Sequence, residues 1–299
     1  MTDAGSKVII NRKRPGMILL LIDRSYSMED TVRNDGRTLA QMVADAVNET
    51  LYNLCLLCIH EEHEGPRPYF RVGLIGYGMS ATADVQAVEP ALGGMLAGKE
   101  VVTSTELALN PIRVVERNGG ADFDGEMISV PEWLEPVAGY ATPMCEAIYR
   151  AGSLAADFCA NHPDSYPPIV INLTDGVVTD EPYAPTGDQH PAGLDEWAER
   201  LTTLRTNHGP LRFLNAFVSA TPLDASWFPS TPNGLPEPGR RLFDISSPLP
   251  EDLATAAADK GKPIGAGARA LIVNASPHEL AAFLEIGTLD VLNGAEYGG

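Results

Sequence analysis

The chain has 299 residues, 44% of them hydrophobic, and 21 basic against 40 acidic side chains give a formal charge of −19. Such a charge repels phosphate backbones and anionic lipid, which argues against nucleic acid or a membrane surface as a direct partner. No run approaches the ~18 consecutive apolar residues of a membrane-spanning helix.

Residues 1–15 are polar and read as a flexible N-terminus, 16–288 as one α/β domain with loop insertions, and 289–299 as a C-terminal tail. Arg12, Lys13 and Arg14 precede the apolar run Met17–Ile22, as in an export leader. That run ends in Asp23 with no small-residue cleavage site after it. Cys55, Cys58, Cys145 and Cys159 fall in helical apolar patterns, as thiols do in a reducing compartment. Both features point to a cytoplasmic protein.

Met17–Ile22 predicts a strand buried on both faces, and Leu39–Ile59 a helix with Leu39, Val43, Val47, Leu51, Leu54 and Cys58 on one side. Arg71–Tyr77 predicts a second strand; Lys99–Val115, with its β-branched residues and Pro111, predicts edge strands or a hairpin. Pro143–Asn161 reads as a helix with proline in its first turn, and Ile169–Leu173 as a third buried strand. Residues 181–192 read as a loop, Leu194–Thr206 as a helix and Leu211–Ser219 as a strand. An extended proline-rich excursion over 221–240 then leads to a short strand, Arg241–Ile245. The last elements are a helix Pro250–Lys260, a strand Ala270–Asn274 and a helix Pro277–Ile286. This alternation predicts an α/β fold, a doubly wound, mostly parallel central sheet with helices on both faces.

Two predicted strands run directly into acids, Asp23 and Asp175. In an open parallel sheet, ligands bind beyond the carboxyl ends of the strands, so two acids 152 residues apart in sequence become candidates for one site. In "DRSYS", Asp23, Ser25 and Ser27 alternate and would present oxygens to one side of an extended chain. Four extended steps span ~13 Å, too far for one ion, so the segment must curl. Few charges and hard oxygen donors suit Mg²⁺, with Mn²⁺ or Ca²⁺ as substitutes. A helix cap explains serines in one such loop, but not three separated motifs.

"DRSYS", "ATPM" at 141–144 and "LTDG" at 173–176 together resemble a von Willebrand factor A domain with its metal-ion-dependent adhesion site. The resemblance covers roughly residues 16–288 and implies a Rossmann-like fold. It implies that Ser25, Ser27 and Thr142 bind the metal directly, while Asp23 and Asp175 hold it through water or tune its ligands. The partner it implies is a protein that donates a carboxylate to the metal. The C-terminal pattern resembles intracellular bacterial tellurium-resistance-type members. The expected function is therefore a Mg²⁺-dependent protein-binding adaptor in a bacterial stress or signalling system, not an enzyme. The alternatives are a substrate-recruiting partner of a MoxR-type AAA+ ATPase and a metal-dependent hydrolase. Tyr26 between the serines, followed by acids, is similar to the inserted domains of integrin β subunits. There, neighbouring acids form a second Ca²⁺ site; here Asp30 matches one such position and Thr31 departs from the next. Tyr26 itself is expected to pack its ring beside the site.

Other motifs read more plainly. "GGMLAGKE" at 93–100 lacks the Ser or Thr of a phosphate loop and reads as loop or strand entry. "CLLCIHEEH" at 55–63 reads as a core helix with a polar end rather than a zinc site. Trp133, Tyr140 and Tyr183 flank the Thr and Asp loops and are candidates either for the rim of the site or for local packing.

Overall fold

The computed structural model describes residues 10–33, 35–59, 65–78, 88–118, 127–221 and 223–290. The ends of the expected N-terminus and tail lie outside these. Ile10 is buried, and the Asn11 side chain closes the turn after it by accepting from the Lys13 and Arg14 N–H groups.

In chain order, β1 (Gly16–Asp23) is buried at every position and leads through a short 3₁₀ turn, Tyr26–Glu29, to α1 (Leu39–Leu57). Thr38 starts α1 with a capping box shared with Gln41, which satisfies two otherwise orphaned N–H groups. There follow β2 (Phe70–Tyr77), β3 (Val88–Pro90), β4 (Val102–Thr103) and α2 (Ser104–Leu109). β5 (Arg113–Asn118) and β6 (Met127–Glu132) form a separate ribbon. α3 (Met144–Asn161), β7 (Ile169–Thr174) and α4 (Leu194–Thr203) precede a second ribbon, β8 (Arg205–Thr206) with β9 (Gly209–Pro210). β10 (Arg212–Val218), β11 (Ser226–Trp227), α5 (Glu237–Ile245), α6 (Glu251–Asp259), β12 (Leu271–Ala275) and α7 (Pro277–Glu285) complete the chain, with a π-helical turn Ile286–Asp290 after α7.

The main sheet runs β11-β12-β10-β7-β1-β2-β3, with β4 also on β2. Alternation along β1 sends Ile18, Leu20 and Ile22 into one core with Val43 and Val47 of α1 and Phe283 of α7. Met17, Leu19 and Leu21 enter the other core with Met144 and Ile148 of α3, Trp197 of α4 and Leu242 of α5.

Several expectations are corrected. The doubly wound, mostly parallel Rossmann-like sheet is instead a mixed one. The pairs of β1 with β2, β1 with β7, β7 with β10 and β10 with β12 are parallel. The edge strands β3, β4 and β11 and both ribbons are antiparallel, five of the nine strand pairings. The β8–β9 ribbon closes over two residues, which only antiparallel neighbours allow, whereas β11 meets β12 with α5 and α6 between them in the chain. Of the two forms expected for Lys99–Val115, an edge strand is present as β4 on β2, and the hairpin is not. A Thr103–Glu106 capping box turns its middle into α2, and β5 pairs with β6, which lies outside that window. Arg241–Ile245 is helical, not a strand. Pro236 at the N-cap and Pro238 in the first turn start α5, and Gly239, Leu242 and Phe243 bury at helical spacing.

Candidate functional site

The carboxyl ends of β1 and β7 are adjacent, since Ile22 pairs with Leu173. This brings Asp23 and Asp175 to one end of the sheet. The Asp23 loop curls because the Asp23 carboxylate accepts from the Ser25 N–H at 2.8 Å, and the Met28 N–H then donates to the Ser25 carbonyl at 3.1 Å. Ser25 occupies the cap position of the 3₁₀ turn without using its side chain there. Its hydroxyl lies 3.1 Å from that of Ser27. The Ser27 hydroxyl in turn hydrogen-bonds Asp175.

Thr174 fastens the two acid loops together. Its hydroxyl donates to the second Asp23 oxygen at 2.6 Å and accepts from the Gly176 N–H at 2.9 Å. Beneath it, the buried Tyr77 hydroxyl donates to Asn172 at 2.7 Å.

The Thr142 loop joins from the third side. Gly78 has φ +117°, and a Cβ there would stand 2.4 Å from the Ala141 carbonyl and 2.8 Å from the Ser25 nitrogen. Only glycine permits both the conformation and the contact. The Gly78 carbonyl accepts from the Tyr140 and Ala141 N–H groups at 2.9 and 3.3 Å. Thr142 is buried and clasped by Thr179, whose hydroxyl accepts from the Thr142 N–H at 2.8 Å and whose own N–H donates to the Thr142 carbonyl at 3.1 Å. Asp180 accepts from the Cys145 and Glu146 N–H groups, capping the start of α3 from a distant part of the chain. The five sequence-predicted residues Asp23, Ser25, Ser27, Thr142 and Asp175 thus sit on three interlocked loops, the cup, at one end of the sheet.

The electrostatics of the cup are unbalanced. Burial, then the charge of Asp175, push the Asp23 carboxyl up to about 7, against the lowering effect of its bonds from Thr174 and Ser25. Burial raises Asp175 as well, with the nearby charge of Asp30 adding to it and the Ser27 bond opposing it. Among the described residues, neither acid has a Lys or Arg within ion-pair reach. Arg24 lies between them in sequence but turns away. Its guanidinium lies over Gly76, where a Cβ would come within 2.7 Å of Nε, and reaches Glu89 at 3.5 Å and the Ala91 carbonyl at 3.3 Å.

Other expectations resolve differently. Tyr26 does not pack down; it is 65% exposed, because the Asp23–Ser25 turn closes the loop without its ring. Trp133 is buried and donates to the Leu107 carbonyl at 2.7 Å, and Tyr183 packs with Tyr149 and Trp197. Tyr140 alone of those three aromatics stands at the cup. Gly94–Leu96 is a 3₁₀ turn whose following Lys99 pairs with Glu106, as a plain loop would. Cys55 and Cys58 are buried at the end of α1; residues 60–63 of that motif lie outside the described ones. Sequence reasoning passed over Tyr77, Thr174, Thr179 and Asp180. The signal for the last two was a second "TD" pair, five residues after Thr174–Asp175, in an otherwise apolar loop.

No family model and no curated protein matches the chain. Among solved structures it is similar to proximal thread matrix protein 1 of the mussel byssus, at 14% identity and TM-score 0.46, over 92% of this chain and 48% of that one. It is also similar to the pilus adhesin SpaC from Lactobacillus rhamnosus GG, at 14% identity and TM-score 0.46, over 96% of this chain and 31% of that one. The minor pilin PilB from Streptococcus sanguinis gives 11% identity and TM-score 0.40, over 95% of this chain and 62% of that one. The chain spans less than two thirds of each of these proteins, and at such scores the likenesses carry no functional argument. The von Willebrand factor A resemblance and its tellurium-resistance-type variant are corrected accordingly. No family model and no curated protein supports them. Nor is the adhesion site named with that resemblance supported: among the described residues no group of three or more His, Cys, Asp or Glu could hold a metal ion. Among them, too, no helix is long and apolar enough to cross a membrane.

Proposed function

We propose that the cup binds a divalent cation, Mg²⁺ in the first instance, and through it a protein partner that supplies a carboxylate. The observation that carries this reading is geometric: Asp23 and Asp175 stand at the adjacent carboxyl ends of β1 and β7, and among the described residues no Lys or Arg pairs with either. The hydroxyls of Ser25 and Ser27 lie 3.1 Å apart on the Asp23 loop, and Thr142 is buried on the loop locked against it; all three are neutral hard donors of the kind Mg²⁺ accepts. Two acids fall short of an acid cage, so the ion would keep appetite for a further anionic oxygen. In this reading the chain's own residues hold the ion and orient the partner, and the chain is an adaptor rather than an enzyme. A cytoplasmic setting belongs to the proposal and is supported by the four unpaired thiols.

Calorimetric titration of the metal-free protein with Mg²⁺ and Mn²⁺ tests it. The expected result is one saturable site, lost in Asp23→Ala and in the Ser25→Ala/Ser27→Ala double variant. Absence of binding, or binding unchanged in these variants, overturns it. Phosphoester turnover lost in the same variants would instead favour a metal-dependent hydrolase.

A further inference from the structure

Each of the three loops of the cup carries one large apolar side chain held in water. Tyr26 on the Asp23 loop is 65% exposed, Tyr140 on the Thr142 loop 70%, and Val177 on the Asp175 loop 62%. Single exposed apolar residues are ordinary, and this protein has others, such as Met95 in a turn and Leu109 at the end of α2. Their placement at the cup is different, because the loops are bonded to one another. Gly78 joins the Tyr140 loop to Ser25, Thr179 joins Thr142 to the loop of Val177, and Ser27 joins the Tyr26 turn to Asp175. None of the three rings or branches is needed to close its own loop. Tyr26 occupies a turn already closed by Asp23 and Ser25, and Tyr140 is held there by its backbone.

We propose that Tyr26, Tyr140 and Val177 form an apolar collar that reads the residues flanking a single acidic side chain on a protein partner. This rests on the cation-binding reading of the cup. Charge decides the occupant. Two acids in a chain of net charge −19 repel a carboxylate, and a divalent cation cancels that local charge and makes a carboxylate the complementary group. Glu29 and Asp30, exposed on the same turn as Tyr26, continue to repel any further acid beside it. The fitting segment therefore has one Asp or Glu between aliphatic or aromatic neighbours, and a run of acids is excluded. Aromatic side chains around a polar centre are the residue types that carry interface energy while shielding it from water.

The test is selection from a displayed peptide library with a fixed central Asp and randomised flanks, in Mg²⁺ buffer. Enrichment of Leu, Ile, Phe, Tyr or Trp beside the Asp, with depletion of Asp and Glu, is expected. The variant Tyr26→Ser/Tyr140→Ser/Val177→Ser should bind the enriched peptides at least tenfold more weakly while its calorimetric Mg²⁺ affinity stays within about twofold. Tyr140→Ser alone, far in sequence from the serine turn, provides the same readout of about threefold or more if the triple variant does not fold. Polar, basic or acidic flanks, or unchanged peptide affinity with intact Mg²⁺ binding, overturn the collar alone. Failure of the wild-type protein to bind Mg²⁺ overturns the collar together with the reading beneath it.

Discussion

The two ends of the central strands solve the same problem in opposite ways. At the amino end of β7 and β10, Asp252 meets the Arg212 guanidinium at 2.7 Å and accepts from the Tyr166 hydroxyl at 2.7 Å, while Arg212 stacks on the Tyr166 ring at 4.4 Å. The anion has its cation within the chain. At the carboxyl end, Asp23 and Asp175 have hydroxyl and N–H partners but, among the described residues, no cation, and Arg24 faces the other way. A folded chain that can place an arginine against an acid at one end leaves two acids without one at the other. The physical consequence is a fold whose buried charge is balanced below and unbalanced above.

The largest expected effect tests that imbalance through pH. Asp23 is raised in the folded state from 3.8 to about 7, so its contribution to stability is fully present below about 4 and is lost as pH rises through about 7. In chelator, thermal unfolding should show stability falling from pH 4 to pH 8, by at most about 4 kcal/mol from this group. Asp23→Asn should flatten that fall, and an unchanged slope would break the comparison. Next comes the lower end. Arg212→Ala should cost about 3 kcal/mol by denaturant unfolding, since it removes a largely buried side chain with its stacking on Tyr166 and its pairing with Asp252, and this loss should not respond to Mg²⁺. A Mg²⁺-dependent loss there would mean that the two ends are not independent.

A somewhat smaller effect is the gain on adding the cation. At pH 8 and a hundredfold excess of Mg²⁺ over its Kd, the wild-type protein should gain about 2.7 kcal/mol, and Asp175→Ala should gain nothing. Equal gains in both would remove the metal from the cup. The smallest change is expected for Ser27→Ala, which removes the bond that steadies Asp175 and should cost about 1 kcal/mol of metal-free stability. Its Mg²⁺ affinity should fall by a larger factor than its stability suggests, a split that calorimetry reads directly.

Local pattern carried much of the element order because burial periodicity and capping chemistry are local. The all-apolar stretch of β1, the one-sided helix α1 and the apolar face of α3 are each visible within twenty residues of sequence. Where two local patterns coincide, sequence misled. "RLFDI" suits a strand, yet its Leu242 and Phe243 complete a helical stripe with Gly239 once Pro236 and Pro238 have begun a helix. The edges of the sheet were also illegible, because whether β3 and β4 return antiparallel onto β2 depends on connections and not on their own two or three residues.

At the candidate site the sequence by itself determined the donor atoms and one piece of geometry. The Asp23–Ser25 turn that curls the loop is a bond between residues two apart. Everything that makes the cup a single place was decided by the tertiary structure. Parallel pairing of β1 with β7 sets Asp23 beside Asp175, Gly78 admits the Thr142 loop, and Thr174 and Thr179 bind the loops together. The fold also decided that Arg24 points away and that Tyr26, Tyr140 and Val177 stand in water. These are contacts across as many as 151 residues of chain. Periodicity reports which face of an element is buried; only the packed fold fixes which distant oxygens share that buried end, and whether any cation of the chain is there to meet them.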